Sequence, residues 1–317
     1  MKRTREEYLQ MLAYEAFIRR VASAELPLLL KGSFITRQYF RDPELRSPAD
    51  LDWVYIHPVQ DQHQMESVLS ELMIKATEAI VYDGVEFQSF SQNRFWRMID
   101  YAMSEDFPTV NTDLSCTINN TETFIHNMDI SLNLDIPVSP IPMTYVPLKG
   151  EPFLIPYTVP LALQVSWKLH QTLVRPRFKD IFDLTEILQH PGFTPDVWQQ
   201  TMEALVAECM KGWDDIKLLR HLLTRNAGPL FTSFGMEQEW NQWRHGQRTN
   251  GKDAHWQGYA ASITTVNDLP EEVEDFLVPF YDALATAGFT EENCEKYIGT
   301  VTIQPPIKKW YHIFTRR

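Results

Sequence analysis

Apolar positions Tyr8, Met11, Leu12, Ala16, Phe17 and Val21 recur at helical spacing, so residues 4–24 predict an amphipathic helix. The run Pro27-Leu28-Leu29-Leu30 reads as a short buried strand ending on the turn Lys31-Gly32-Ser33. Residues 34–40 look helical, and a looser, charged segment with two prolines follows over 41–49. Leu51-Asp52-Trp53-Val54-Tyr55-Ile56 alternates and is rich in strand formers. Residues 61–80 predict a second helix, with Met65, Val68, Leu69, Leu72 and Ile80 on one side. Strands are expected over 85–90, 95–102, 113–118 and 124–134, separated by Asn-, Ser- and Asp-rich turns.

The stretch 137–160 holds seven prolines and predicts a connection between domains. Beyond it the period is helical, over 161–173, 179–188, 195–209, 214–223, 271–287 and 291–297. Asp268 and Thr290 are candidate N-caps, and the polar, glycine-bearing residues 245–268 read as a loop. The fold class is therefore α+β: an α/β domain over 1–157 with a mixed sheet, followed by a mainly helical domain over 158–317.

With 317 residues, 44% of them hydrophobic and 22% charged, the composition is that of an ordinary globular protein. The net charge of -13, from 42 acidic and 29 basic residues, sets a condition on partners. A nucleic acid would have to be held by a local basic patch, because the surface as a whole repels it. Cys116, Cys209 and Cys294 lie far apart without metal-ligand spacing and read as reduced thiols. The charged, amphipathic start has no apolar leader core, and no run approaches the ~18 apolar residues of a membrane span. A soluble, cytoplasmic protein without a membrane partner is expected.

Asp50 and Asp52 stand one residue apart on a predicted strand, so both project from one face. Side-by-side carboxylates repel, and a divalent cation resolves the repulsion. Magnesium typically takes one or two carboxylates and completes its shell with water and phosphate oxygens. Gly32 lets a phosphate approach the backbone of the preceding turn, and Ser33 adds a hydroxyl at the start of a helix. Together the two halves suit a metal-bound nucleoside triphosphate. A third carboxylate belongs on a neighbouring strand. Asp129, mid-strand between apolar residues, is the favoured candidate, with Asp100 and Asp113 as rivals. Such a group can serve as general base toward an attacking hydroxyl.

Leu30-Lys31-Gly32-Ser33, then Arg46 four residues before Asp50-Leu51-Asp52, then Met128-Asp129-Ile130-Ser131, resembles the AbiEii/AbiGii toxin-like nucleotidyltransferases of the polymerase-β-like superfamily. Pro48 stands where that family usually has threonine. The resemblance continues through Ser166-Trp167-Lys168-Leu169-His170 and the stretch from Arg175 to Leu184, so it covers residues 27–190. It implies a polymerase-β-like domain, with Lys31, Gly32, Ser33, Arg46, Lys168, Arg177 and Lys179 toward the nucleotide. It also implies Mg2+ (or Mn2+) on Asp50, Asp52 and Asp129, with Lys168 stabilising departing pyrophosphate. Asp180 would orient that lysine, and Asp183, three residues on, would share the role. The partners implied are an NTP, a tRNA 3′ end as acceptor, and a cognate antitoxin.

Lys168, Arg175, Arg177 and Lys179 are also the densest basic cluster in this acidic chain. Two other functions fit the same residues. One is a transferase acting on a small, antibiotic-type molecule, and the other is a nucleotide-binding module without catalysis. Trp240, Trp243, Trp256 and Trp310 with Tyr311 read either as buried core or as a base-stacking platform, the former being the commoner use.

Overall fold

The computed structural model describes residues 4–99, 108–249 and 262–299. Helix α1 (Arg5–Ser23) starts on a capping box: Glu7 N–H donates to the Thr4 hydroxyl, and the Glu7 carboxylate accepts from Thr4 N–H. Strand β1 (Leu28–Lys31) and the short helix α2 (Ser33–Thr36) follow, with Gly32 between them. Next come β2 (Leu51–Tyr55), α3 (Gln62–Glu78), β3 (Val85–Phe87), β4 (Arg97–Ile99), β5 (Thr109–Ile118) and β6 (Thr121–Ser131). A hairpin of β7 (Ile141–Tyr145) and β8 (Phe153–Thr158) completes the strands among the described residues. The rest is helical: α4 (Leu161–Val174), α5 (Phe178–Ile187), α6 (Pro195–Gly212), α7 (Leu219–Leu223), α8 (Met236–Thr249), α9 (Val273–Thr286) and α10 (Glu291–Ile298).

The architecture is mixed α+β. One eight-stranded sheet runs in the order β3-β5-β6-β2-β1-β8-β7, with β4 also paired to β5. The β2–β6 and β1–β8 pairs are parallel and the others antiparallel. Alternation sorts the strand residues onto two faces. Leu28, Leu30, Leu51, Trp53, Met128 and Ile130 belong to the main core with α1 and α3, and the Phe17 ring meets Trp53 edge-on. On the other face Leu29 and Val54 pack with Val159, Leu163 of α4 and Ala204 of α6.

The proline-rich stretch is not the open connection expected from composition. It contains β7 and β8, and β8 pairs with β1. Pro142 lies on the edge strand, and Pro156 falls where the β7–β8 register shifts, positions at which a missing N–H leaves no ladder bond broken. The expected boundary at residue 157 falls within β8, and the buried side chains form one continuous cluster across it, from Met11 to Ile298.

Other expectations move as well. β5 begins at Thr109, earlier than its polar residues suggested, and α8 reaches Thr249 into the expected loop. Asp268 closes a 3₁₀ turn and does not cap a helix; α9 is preceded by Glu272, whereas Thr290 caps α10. Trp240 and Trp243 are buried and pack around Phe178, so they are core and not an exposed platform. Trp256, Trp310 and Tyr311 lie outside the described residues. The three cysteines are free and buried. No helix among the described residues is long and apolar enough to cross a membrane.

Candidate active site

Four adjacent strands align one residue each in a single row: Lys31 on β1 opposite Asp52 on β2, Asp52 opposite Asp129 on β6, and Asp129 opposite Asn111 on β5. Their neighbours Leu30, Trp53, Ile130 and Val110 are all core, so the row lies on the face turned toward α4 and α6. Neighbouring strands are about 4.8 Å apart, which sets the two carboxylates side by side.

A bulge makes this row. On β6, His126 and Asn127 together oppose Asp113 of β5, and the register shifts between Thr112 and Leu114. Without the extra residue, Asp129 would share the face of Ile125, which is core. Asn127 adopts φ 55°, a left-handed conformation that asparagine tolerates. Its N–H donates to the Asp113 carboxylate at 3.1 Å.

Gly32 has φ +73°, and a Cβ on it would collide with Oδ2 of Asp52. The turn can carry no side chain here for both reasons. Asp50 comes just before β2, where the Ser33 hydroxyl reaches its Oδ1 at 3.5 Å. The buried Tyr14 hydroxyl lies 2.9 Å from both the Ala49 and the His126 carbonyl oxygens, tying the approach to Asp50–Asp52 to the bulge before Asp129. Burial, then the nearby Asp50, keeps that phenol well above its ordinary range.

Asp52, with 22% of its side chain exposed, has its pKa pushed up to about 6. Burial is the main cause; Lys31, with Nζ at 3.8 Å, opposes it, while Asp50 and Asp129 add to it and Lys179 subtracts. Asp129 is buried and accepts a short hydrogen bond from the Asn111 amide, whose oxygen in turn accepts from Arg97.

The opposite wall comes from α4 and α5. Lys168 Nζ lies 2.7 Å from Asp183 and 3.3 Å from Asp180, and both acids are buried. Burial pulls the lysine's pKa down, but Asp183 and Asp180 outweigh it and hold the amine above its usual range. Burial likewise pushes Asp180 up, yet Lys168, Arg177 and Lys179 keep it well below the usual carboxylate range. Arg177, more exposed, closes on Asp180 at 2.5 Å. Arg46, expected at the nucleotide, is buried instead: Nε meets Asp183 at 2.9 Å, and another nitrogen donates to the Ser262 carbonyl at 2.8 Å. Lys179 behaves differently. It makes no ion pair among the described residues, and burial and the neighbouring Arg177 lower its pKa. Its charge acts on both Asp50 and Asp52 across the cleft.

The sequence profile described as "Nucleotidyl transferase AbiEii toxin, Type IV TA system" matches residues 17–278. The chain belongs to the AbiEii nucleotidyltransferase toxin family. No curated protein matches its sequence. Among solved structures, one described as a nucleotidyltransferase from H. pylori is 13% identical, covering 93% of this chain and 98% of that one with a TM-score of 0.45. The nucleotidyltransferase toxin MenT4 of Mycobacterium tuberculosis H37Rv is 11% identical, covering 89% and 93%, with a TM-score of 0.44.

Within this AbiEii-family chain, Asp50, Asp52 and Asp129 lie on adjoining segments of one sheet face. They do not form a ready-made cage: no group of three or more acidic, histidine or cysteine side chains is gathered for a metal among the described residues. Of the rivals for the third carboxylate, Asp113 is occupied by Arg97 and Asn127, and Asp100 lies outside the described residues. Tyr14 and Asn111 escape a motif search. Asn111 had one visible sign, a polar residue among the strand formers Val110 and Thr112.

A carboxylate whose pKa rises on folding contributes stability while protonated and loses it as pH rises from its ordinary 3.8 to about 6. Asp52→Asn should therefore raise the melting temperature of the metal-free protein by a few degrees at pH 7–8, with the gain vanishing toward pH 4. A melt series of both proteins across pH checks it. Separately, Asp183→Ala takes one buried countercharge from both Lys168 and Arg46, and should cost about 3–5 kcal/mol in urea unfolding. Lys179→Ala should shift stability by less than about 1 kcal/mol.

Proposed function

We propose that this AbiEii-family chain is a metal-dependent nucleotidyltransferase. It moves a nucleoside monophosphate from an NTP to an acceptor hydroxyl, with the 3′ end of a tRNA as the acceptor and an antitoxin as its regulator. The observation that carries this reading is the row Lys31–Asp52–Asp129–Asn111, opposed across the cleft by Lys179, which makes no ion pair among the described residues. The donor set suits a hard divalent cation such as Mg2+ or Mn2+. Asp50 and Asp52 are hard oxygen donors, and Asp52 is held up to about 6 by burial and by acidic neighbours that a cation would offset. Two carboxylates with water and substrate phosphates are a usual magnesium set, so three preassembled protein ligands are not needed. When bound, the ion supplies charge neutralisation at the α-phosphate and a template for in-line displacement.

The chain's own residues account for the rest. Gly32 leaves the turn bare for phosphate, with Lys31 and Ser33 at its sides. Asp129, oriented by Asn111, receives the proton of the attacking hydroxyl. As the new P–O bond forms, the bond to pyrophosphate breaks, and Lys179 meets the charge that departs. Lys168 serves behind it. Fixed between Asp180 and Asp183, it locks α4 to α5 and so aims Lys179 into the cleft.

The test is label transfer from NTPs carrying phosphorus-32 at the α-position, with Mg2+ and either total tRNA or small hydroxylic acceptors. The wild type should label tRNA, EDTA should abolish the label, and Asp52→Asn should lower it at least about 100-fold. Lys179→Ala should lower transfer more than about tenfold with stability kept. Label on small molecules alone would replace the acceptor, and label nowhere would sink the enzymatic reading.

A further inference from the structure

The sheet face that carries the catalytic row continues beyond it with no described helix packed over it. α4 and α6 pack on this face over β1 and β2. Farther out, Ser115 and Thr117 of β5 and Glu122, Phe124 and His126 of β6 are partly or fully exposed. Phe124 sits opposite Ser115, on the face away from the core residues Ile125 and Leu114. Its ring, in a residue 40% exposed, stacks on the His126 ring with centroids 5.6 Å apart and planes 19° apart. Beside this row, on β4 across β5, Arg97 has half its side chain in solvent and donates to Asn111 and to Asp113, both at 2.9 Å. A single exposed aromatic on a strand needs no explanation. A near-parallel aromatic pair, beside an arginine and in line with a catalytic carboxylate, is another matter.

We propose that Phe124 and His126, flanked by Arg97, form the platform on which the single-stranded nucleic acid carrying the acceptor hydroxyl stacks. The proposal rests on the nucleotidyltransferase reading above and gives its acceptor a place. Phe124 precedes Asp129 by four strand steps and the bulge, or about 13 Å. That equals about four stacked nucleotides at roughly 3.4 Å each. A strand whose terminal hydroxyl reaches Asp129 therefore lays its preceding bases over the aromatic pair, and Arg97 lies along its phosphates. Stacking also answers the charge problem. With a net charge of -13 the protein gains little from long-range attraction of a polyanion, and base–aromatic contact does not depend on net charge.

Binding tests the platform without relying on catalysis. A fluorescein-labelled single-stranded RNA octamer is titrated with the full chain, and anisotropy gives Kd for the wild type, Phe124→Ala, His126→Ala and Phe124→Trp. Phe124→Ala should weaken binding about tenfold, His126→Ala less, and Phe124→Trp should keep or tighten it, with melting temperatures unchanged. A Kd for Phe124→Ala within twofold of wild type would overturn the proposal, as would a wild type that does not bind the octamer. The first result would leave the exposed pair to a protein partner. The two readings fail separately. Absent label transfer with Phe124-dependent binding removes the enzyme and keeps the platform, while intact transfer with Phe124-independent binding removes only the platform.

Discussion

Two carboxylates set next to each other on neighbouring strands are the constraint around which this structure is organised. Asp52 and Asp129 face one another through the parallel β2–β6 register, each partly or wholly out of water. Left alone, such a pair repels and favours a protonated form. The fold answers with Lys31 on one flank, the Asn111 amide on the other and Lys179 across the cleft. Register is critical, because a slip of one residue would turn both acids into the core. The β6 bulge corrects the phase between Ile125 and Asp129, and the Tyr14 hydroxyl ties both acid-bearing segments to α1. These features hold charges together that would otherwise separate.

The positive groups divide by the same logic. Arg46 is buried and Lys168 half-buried, and a charge drawn out of water is tolerable only with close partners, which Asp180 and Asp183 provide. Their electrostatic capacity is spent on fixing α4, α5 and the 262–264 segment around the cleft. Lys179 has a depressed pKa and no ion pair among the described residues, which is why the proposed reaction gives it the departing phosphate charge. Stability and ligand binding are thus assigned to different members of one basic cluster. A sequence pattern that lists them together does not separate the two roles.

What the sequence made legible follows from range. Asp50-Leu51-Asp52 and Gly32-Ser33 are local, and strand period with turn chemistry suffices to read them. The helical second half is equally plain in its 3.6-residue period. The partner of Arg46 is not, since Asp183 is 137 residues away and Ser262 is 216 away. The bulge hides because it changes which face a residue takes without changing any residue type. β7 and β8 hide behind prolines that are harmless only at an edge or a register shift. Asn111 hides because its meaning comes from the strand beside it.

The net charge then constrains how such a site can meet an anionic substrate. At physiological salt the screening length is about 8 Å, so most of the 42 acidic side chains are only weakly felt inside the cleft. They are felt on approach, where they oppose a polyanion. Close in, basic groups answer the acids one by one, with Lys31 beside Asp52, Arg177 on Asp180, Arg97 on Asp113 and Lys179 acting toward Asp50 and Asp52. An acidic exterior around a charge-compensated cleft disfavours nonspecific adsorption along a nucleic-acid backbone, which depends on many dispersed phosphate contacts. Under the proposed reaction it leaves intact the capture of one terminus, whose triphosphate partner, cation and flat bases would be met at short range. Selectivity for an end over a backbone can therefore arise from charge placement, before any base is read.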